Sequence, residues 1–189
     1  MTPLAASADG EAARNFVRGL ADEAIAIVSA PDLSRAQFEA EFSRFIDEGF
    51  NTQVVGRSAL GRYWRVANEE QRVAYQDAFF GYIVETYASR FKQYAGESFE
   101  VTGVREINEA EAIVSSVIVR PESTDVAVDW HVLRSGDEYQ IVDVIIEGLR
   151  IGITLRDQFS AAIRANGGSI DHLIEELRLR SQRPADGDT

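Results

Sequence analysis

The apolar positions along the chain follow two different periods. From Glu11 to about Phe91 they recur every three or four residues, from Ser98 to Gly148 they alternate, and after Gly148 the helical spacing returns. The stretch 11–30 places Phe16, Val17, Leu20, Ala24, Ile27 and Val28 on one helical face and meets Pro31, which closes it. Ser34 with Gln37 three positions later forms a capping box ahead of a second helix, whose Phe38, Phe42, Phe45 and Ile46 make one stripe before Gly49. A shorter helix is predicted over 52–60, stopping near Gly61. Asn68 caps a long helix reaching about Tyr94, with Gln71 at its third position and Glu69 and Glu70 suited to the positive end of the dipole. Its stripe of Val73, Phe79, Phe80, Ile83, Val84, Tyr87, Phe91 and Tyr94 is too wide for one contact. That width predicts packing on a sheet along one side, and on other helices or a cavity along the other.

Four alternating stretches predict strands: 98–107, 111–120, 125–134 and 137–148, separated by Asn108, the PEST segment and the SGD segment. Such short connections favour an antiparallel meander, because parallel neighbours need long crossovers. Two helices then close the chain, over about 149–165 and 170–181, with Gly167 and Gly168 between them and Ser169 capping the last. The predicted fold class is α+β: a twisted antiparallel sheet of about four strands wrapped by about six helices, a cone with a cleft between sheet and helices. Residues 1–10 read as a flexible remnant, 11–181 as one domain and 182–189 as a flexible tail.

Charge narrows the partners. A net charge of −12 and an isoelectric point near 4.6 argue against nucleic acid, which needs clustered Lys and Arg, and against a polybasic membrane anchor. The absence of cysteine removes disulfide and thiolate chemistry. No apolar run approaches the roughly 20 residues of a membrane-spanning helix. Ala6-Ser7-Ala8 has the small-x-small form that signal peptidases cut, and reads either as part of a mobile Ala-rich tail or as the start of an exported protein.

Candidate chemistry is sparse. His131 and His172 are the two histidines, and neither a zinc-protease motif, a phosphate loop nor a nucleophile elbow occurs. Asp129 and His131, two apart on a strand, share a face, and Asp143 on the next strand could lie near them. They read either as the general base and acid of a small-molecule isomerase or dehydratase, or as the wetter face of a sheet whose other face carries Val126, Val128, Trp130 and Val132. The apolar set of Phe79, Phe80, Ile83, Tyr87, Trp130, Val144, Ile146, Leu149, Ile151, Ile153 and Phe159 is core, pocket wall, or both.

Four segments carry a family resemblance. LGRYWRVANEEQRVAYQDAFFGYIVETYASRF (60–91), YAGESFEVTG (94–103), AVDWHVLRSGDEYQIVDVIIEG (127–148) and LRDQFSAAIRANGG (155–168) resemble, in order, the segments of the MlaC family, also called the Ttg2D or toluene-tolerance family, of periplasmic phospholipid-binding proteins. The likeness runs from about Phe16 to Leu177. The chain departs from the family at EGLRIGI, where Arg150 takes a position often held by a small polar residue. Arg150 stands either as a solvated charge outside that turn or as a contact for a lipid phosphate.

The resemblance implies an NTF2-like cone that carries lipid and catalyses nothing, with bound phospholipid as cargo and no cofactor. It implies a periplasmic monomer, its signal peptide absent from this chain. Its partners would be an outer-membrane lipoprotein complex and an inner-membrane ABC transporter with an MCE-domain subunit, in the service of outer-membrane lipid asymmetry. A related branch is associated with hopanoids, so a hopanoid or other isoprenoid cargo is the alternative. The lipid-contact residues expected on this basis are Leu60, Tyr63, Trp64, Phe79, Ile83, Tyr87, Val117, Trp130, Val144, Ile146, Leu149, Ile153 and Phe159. Covering an acyl chain of about 16 carbons is worth roughly 13 kcal/mol at about 0.8 kcal/mol per methylene, so a carrier needs a large apolar cavity. Two tails call for roughly 1,000 Å³, the upper end of ordinary pockets.

Overall fold

The computed structural model describes residues 8–30, 32–91, 97–121 and 123–182. Its elements in chain order are α1 (Ala8–Ser29), α2 (Arg35–Gly49), α3 (Thr52–Leu60), α4 (Tyr63–Val66), α5 (Glu69–Phe91), β1 (Ser98–Glu106), β2 (Glu111–Val119), β3 (Val126–Ser135), β4 (Glu138–Ile146), β5 (Leu149–Arg150), α6 (Ile151–Ala165) and α7 (Ile170–Ser181). The expectations for residues 1–7, Pro31, Tyr94 and residues 183–189 lie outside the described residues, as does the side chain of Phe91.

Local chemistry sets the helix starts. Ser34 Oγ accepts from Gln37 N at 3.3 Å while Gln37 Oε1 accepts from Ser34 N at 3.0 Å, so two otherwise unpaired donors of α2 are satisfied reciprocally. Asn68 and Gln71 make the same exchange ahead of α5, at 2.8 and 3.2 Å. Asn51 caps α3 through Val54 N, and Ser169 caps α7 through His172 N.

The five strands form one antiparallel meander in the order β1-β2-β3-β4-β5. Two irregularities bend it. The β1–β2 register slips between Val101 and Gly103, and β4 carries one residue too many between the partners of His131 and Val132, which are Asp143 and Ile141. β5, which the alternation did not predict, is a two-residue edge pairing Leu149 with Ile146 and Arg150 with Ile145. The turn that makes it has positive φ at both central residues, Glu147 (50°) and Gly148 (79°), the signature of the twisted two-residue hairpin. Glu147 is held in that unusual conformation by β3: its N–H donates to Ala127 O at 3.0 Å, and its carboxylate accepts from Ala127 N.

The helices cover one face of the sheet, with α1 over β1 and β2, and α2, α3 and α6 against β4. The long helix differs from its prediction. α5 takes α7, α2 and α3 as its principal neighbours rather than lying along the sheet.

Three apolar clusters result where a small domain usually has one. The first joins α3, α5, α6 and α7 through Leu60, Tyr75, Phe79, Phe159, Ile163, Leu173 and Leu177. The second joins α1 to the sheet through Ala13, Val17, Val114, Val132 and Ile141. The third joins α1, α2 and α5 through Ile27, Phe38, Phe42, Phe45, Ile46 and Ala88.

Tyr75 is fully buried in the first cluster, and its hydroxyl donates to Gly56 O at 2.9 Å. α3 comes this close to α5 because residue 56 lacks a side chain: a Cβ there would stand 2.6 Å from Gln76 Oε1 and 2.9 Å from Phe79 Cδ1. Tyr75→Phe removes this hydrogen bond to the Gly56 carbonyl and is expected to cost about 1 kcal/mol in urea unfolding. Burial also pushes the Tyr75 phenol well above its ordinary 10.0. The unfolded chain then loses this proton before the folded one does, so stability falls as pH rises past 10. The Phe variant is expected to show a shallower alkaline decline.

Candidate functional site: an apolar cavity between sheet and helices

Where the three clusters meet they leave a cavity of about 430 Å³ that is open to solvent. That volume falls short of the roughly 1,000 Å³ anticipated for two tails and lies in the lower half of the usual pocket range. One wall is the inner face of the sheet: Phe99, Ile118, Val128, Trp130, Ile141, Val144 and Ile146. α1 supplies Val17, Leu20, Ala24, Ile25 and Val28, and α2 supplies Phe42, Phe45 and Ile46. Val55 of α3, Phe79, Ile83 and Tyr87 of α5, and Ile151 and Leu155 of α6 complete it.

Strand alternation explains most of the sheet wall, and the extra residue in β4 explains the rest. Val144 and Ile146 share the inner face by the period of two, but Ile141 lies an odd three positions before Val144, so the face is kept only because β4 holds one extra residue between Ile141 and Asp143. The indole of Trp130 is oriented by a short relay in which Nε1 donates to Ser116 Oγ at 2.9 Å and Ser116 donates to Val128 O at 3.0 Å. Ser116 is nearly inaccessible, and this relay satisfies its hydroxyl.

Of the residues expected to contact lipid, Phe79, Ile83, Tyr87, Trp130, Val144 and Ile146 come together on the cavity wall. The others lie elsewhere. Leu60 and Phe159 are buried among the helices, Phe159 edge-on to Tyr75, Phe79 and Tyr82. Tyr63 and Trp64 pack on that same cluster beneath arginines, with Arg57 and Arg72 flanking the Trp64 ring and Arg62 above Tyr63. Val117 points to the outer face of β2, one position out of phase with Ile118. Leu149 is 69% exposed because β5 carries it along the sheet edge, and Ile153 is 42% exposed on the solvent side of α6.

The residues that sequence reading missed come mainly from α1 and α2. Their stripes were visible, but a helical stripe does not tell whether it meets side chains or space.

The Asp129–His131–Asp143 constellation is not assembled. Asp129 and His131 alternate with Val128, Trp130 and Val132 and so face away from the cavity, where His131 Nε2 lies 3.0 Å from Glu111 Oε2. Asp143 opposes His131 in register but turns inward, accepting from Arg150 Nε at 2.7 Å and Gly152 N at 3.1 Å. Arg150, half-exposed at the turn, is therefore tied to Asp143. Among the described residues, two charged side chains line the cavity, Asp143 and Glu97. Burial pushes the Glu97 carboxyl above its ordinary range, and Arg120 draws it partly back. No cluster of potential metal ligands occurs among the described residues, and no helix there is long and apolar enough to cross a membrane.

Comparison with known proteins gives this architecture its relatives. The structure of a phospholipid-binding protein from Ralstonia solanacearum, in complex with a phospholipid, superposes with a TM-score of 0.77, covering 89% of this chain and 96% of that one. At 23% identity this is a likeness of fold. Toluene tolerance protein ttg2D of Pseudomonas putida is 25% identical over 114 residues, 60% of this chain and 53% of that protein, so the chain spans about half the length of the curated relatives it matches. Residues 18–179 match the model of the family described as MlaC protein, and the chain belongs to that family.

Proposed function

We propose that the chain is a periplasmic lipid carrier, with residues 11–181 acting as one unit that shields phospholipid acyl chains. In this reading it shuttles cargo between an outer-membrane lipoprotein complex and an inner-membrane MCE-type ABC transporter, and so maintains outer-membrane lipid asymmetry. The observation that carries the reading is the cavity: its wall is almost wholly aliphatic and aromatic, and it is open to solvent. Family membership and the bound phospholipid of the Ralstonia solanacearum protein support the choice of cargo.

Physical chemistry assigns the steps. Burial of a tail of about 16 carbons, roughly 13 kcal/mol, retains cargo against escape into water, so handover requires a partner that continues the apolar path. Nothing on the wall needs to change a covalent bond, and the cavity needs no cofactor for this task. The carrier works as a monomer.

Native mass spectrometry of the protein purified from a bacterial host tests the proposal. An adduct of phospholipid mass is expected; a spectrum holding only the bare chain would overturn the carrier reading.

A further inference from the structure

The two acids on the cavity wall differ in how they are satisfied. Asp143 has Arg150 Nε at 2.7 Å and the Gly152 N–H at 3.1 Å, so its charge is matched within the fold. Glu97 is matched less well, with the Arg120 charge near it but no hydrogen bond to hold one of its oxygens. Its Oε2 is shut off from solvent and has no hydrogen-bond partner among the described residues. The β1–β2 register, which pairs Ser98 with Val119, sets Arg120 across from Glu97. Yet the Arg120 side chain donates instead to Thr124 O, from Nε at 2.7 Å and from a terminal nitrogen as well. A ligand that brings a donor offsets the cost of burying such an oxygen.

Glu97 also stands at a defined end of the cavity. Ile118 of β2, Val128 of β3 and Ile146 of β4, all on the wall, belong to the same end of the sheet as Ser98. A polar group here would sit at the edge of the apolar space, with tails extending away beneath the helices. We propose that Glu97 selects the head group, receiving the ammonium of a zwitterionic, amine-bearing phospholipid while the positive charge of Arg120 beside it favours the adjoining phosphate. The inference rests on the lipid-carrier reading and adds a cargo class to it. An ammonium supplies three donors to an oxygen that has none, whereas an anionic head group without an amine meets a bare carboxylate.

The test is a competition. Purified protein is incubated with vesicles of equal phosphatidylethanolamine and phosphatidylglycerol, repurified, extracted with organic solvent and analysed by mass spectrometry. The wild type is expected to hold the ethanolamine lipid in about three- to tenfold excess, the scale of one net hydrogen bond. Glu97→Gln brings the ratio near parity without lowering total lipid per protein, and Glu97→Lys inverts it. Equal ratios in wild type and Glu97→Gln, with lipid bound in both, would overturn the head-group assignment and leave the carrier reading standing. Wild-type protein that holds neither lipid would overturn the carrier reading itself.

Discussion

Val144→Glu protein, purified from a bacterial host, is expected to carry no more than about a tenth of the phospholipid that co-purifies with the wild type. Val144 lies opposite Trp130 in the β3–β4 ladder, and both side chains form part of the cavity wall. A carboxylate placed there meets an almost wholly apolar wall, and burying it beside an acyl chain costs several kcal/mol. Each 1.4 kcal/mol is a factor of about ten in binding, so several kcal/mol removes the load. Extraction with organic solvent and phospholipid quantification reads the result. Undiminished phospholipid in the variant would mean that tails do not lie against this wall.

Two further variants separate that outcome from unfolding. Ile153→Glu changes a residue that is already 42% exposed and stands off the wall, and is expected to leave the load unaltered. Val144→Trp keeps the wall apolar and fills space, so it should lower the load while the thermal midpoint holds or rises.

The contrast between Val144 and Ile153 shows what could be read from the chain and what could not. Capping is local chemistry, and the Ser34–Gln37 and Asn68–Gln71 exchanges stand where the residue types placed them. Alternation is local as well, so β3 divides as its pattern says, with Val128, Trp130 and Val132 inward and Asp129 and His131 outward. The inserted residue in β4 has no such signal. A strict period of two would have set Asp143 and Val144 on opposite faces, and only the register of the finished sheet brings both to the cavity.

The same limit governs the turn after β4. A helix beginning at Leu149 would have put Leu149 and Ile153 on one face, but the Glu147–Gly148 turn first makes β5 and delays α6 to Ile151. Leu60 and Phe159 illustrate a different limit. Full burial in the helical cluster and contact with cargo look alike in an apolar stripe, and tertiary packing decides between them.

Asp143→Ala is expected to lower the unfolding free energy by about 2–3 kcal/mol, because one carboxylate satisfies the start of α6 from outside the helix. The residue before α6, Arg150, offers no side-chain cap, and the buried Gly152 N–H instead donates to Asp143 Oδ1 at 3.1 Å. Glycine permits that approach: a Cβ at residue 152 would stand only 3.2 Å from the same oxygen. Removing the carboxylate strands this donor in the interior, whereas Arg150, with 49% of its side chain exposed, recovers water and contributes little to the loss. Asp143→Asn can retain an acceptor and is expected to cost about half as much. Urea unfolding measures both. An Ala variant as stable as the wild type would show that α6 finds another partner for its first turn, and would detach the start of that helix from the sheet that now positions it.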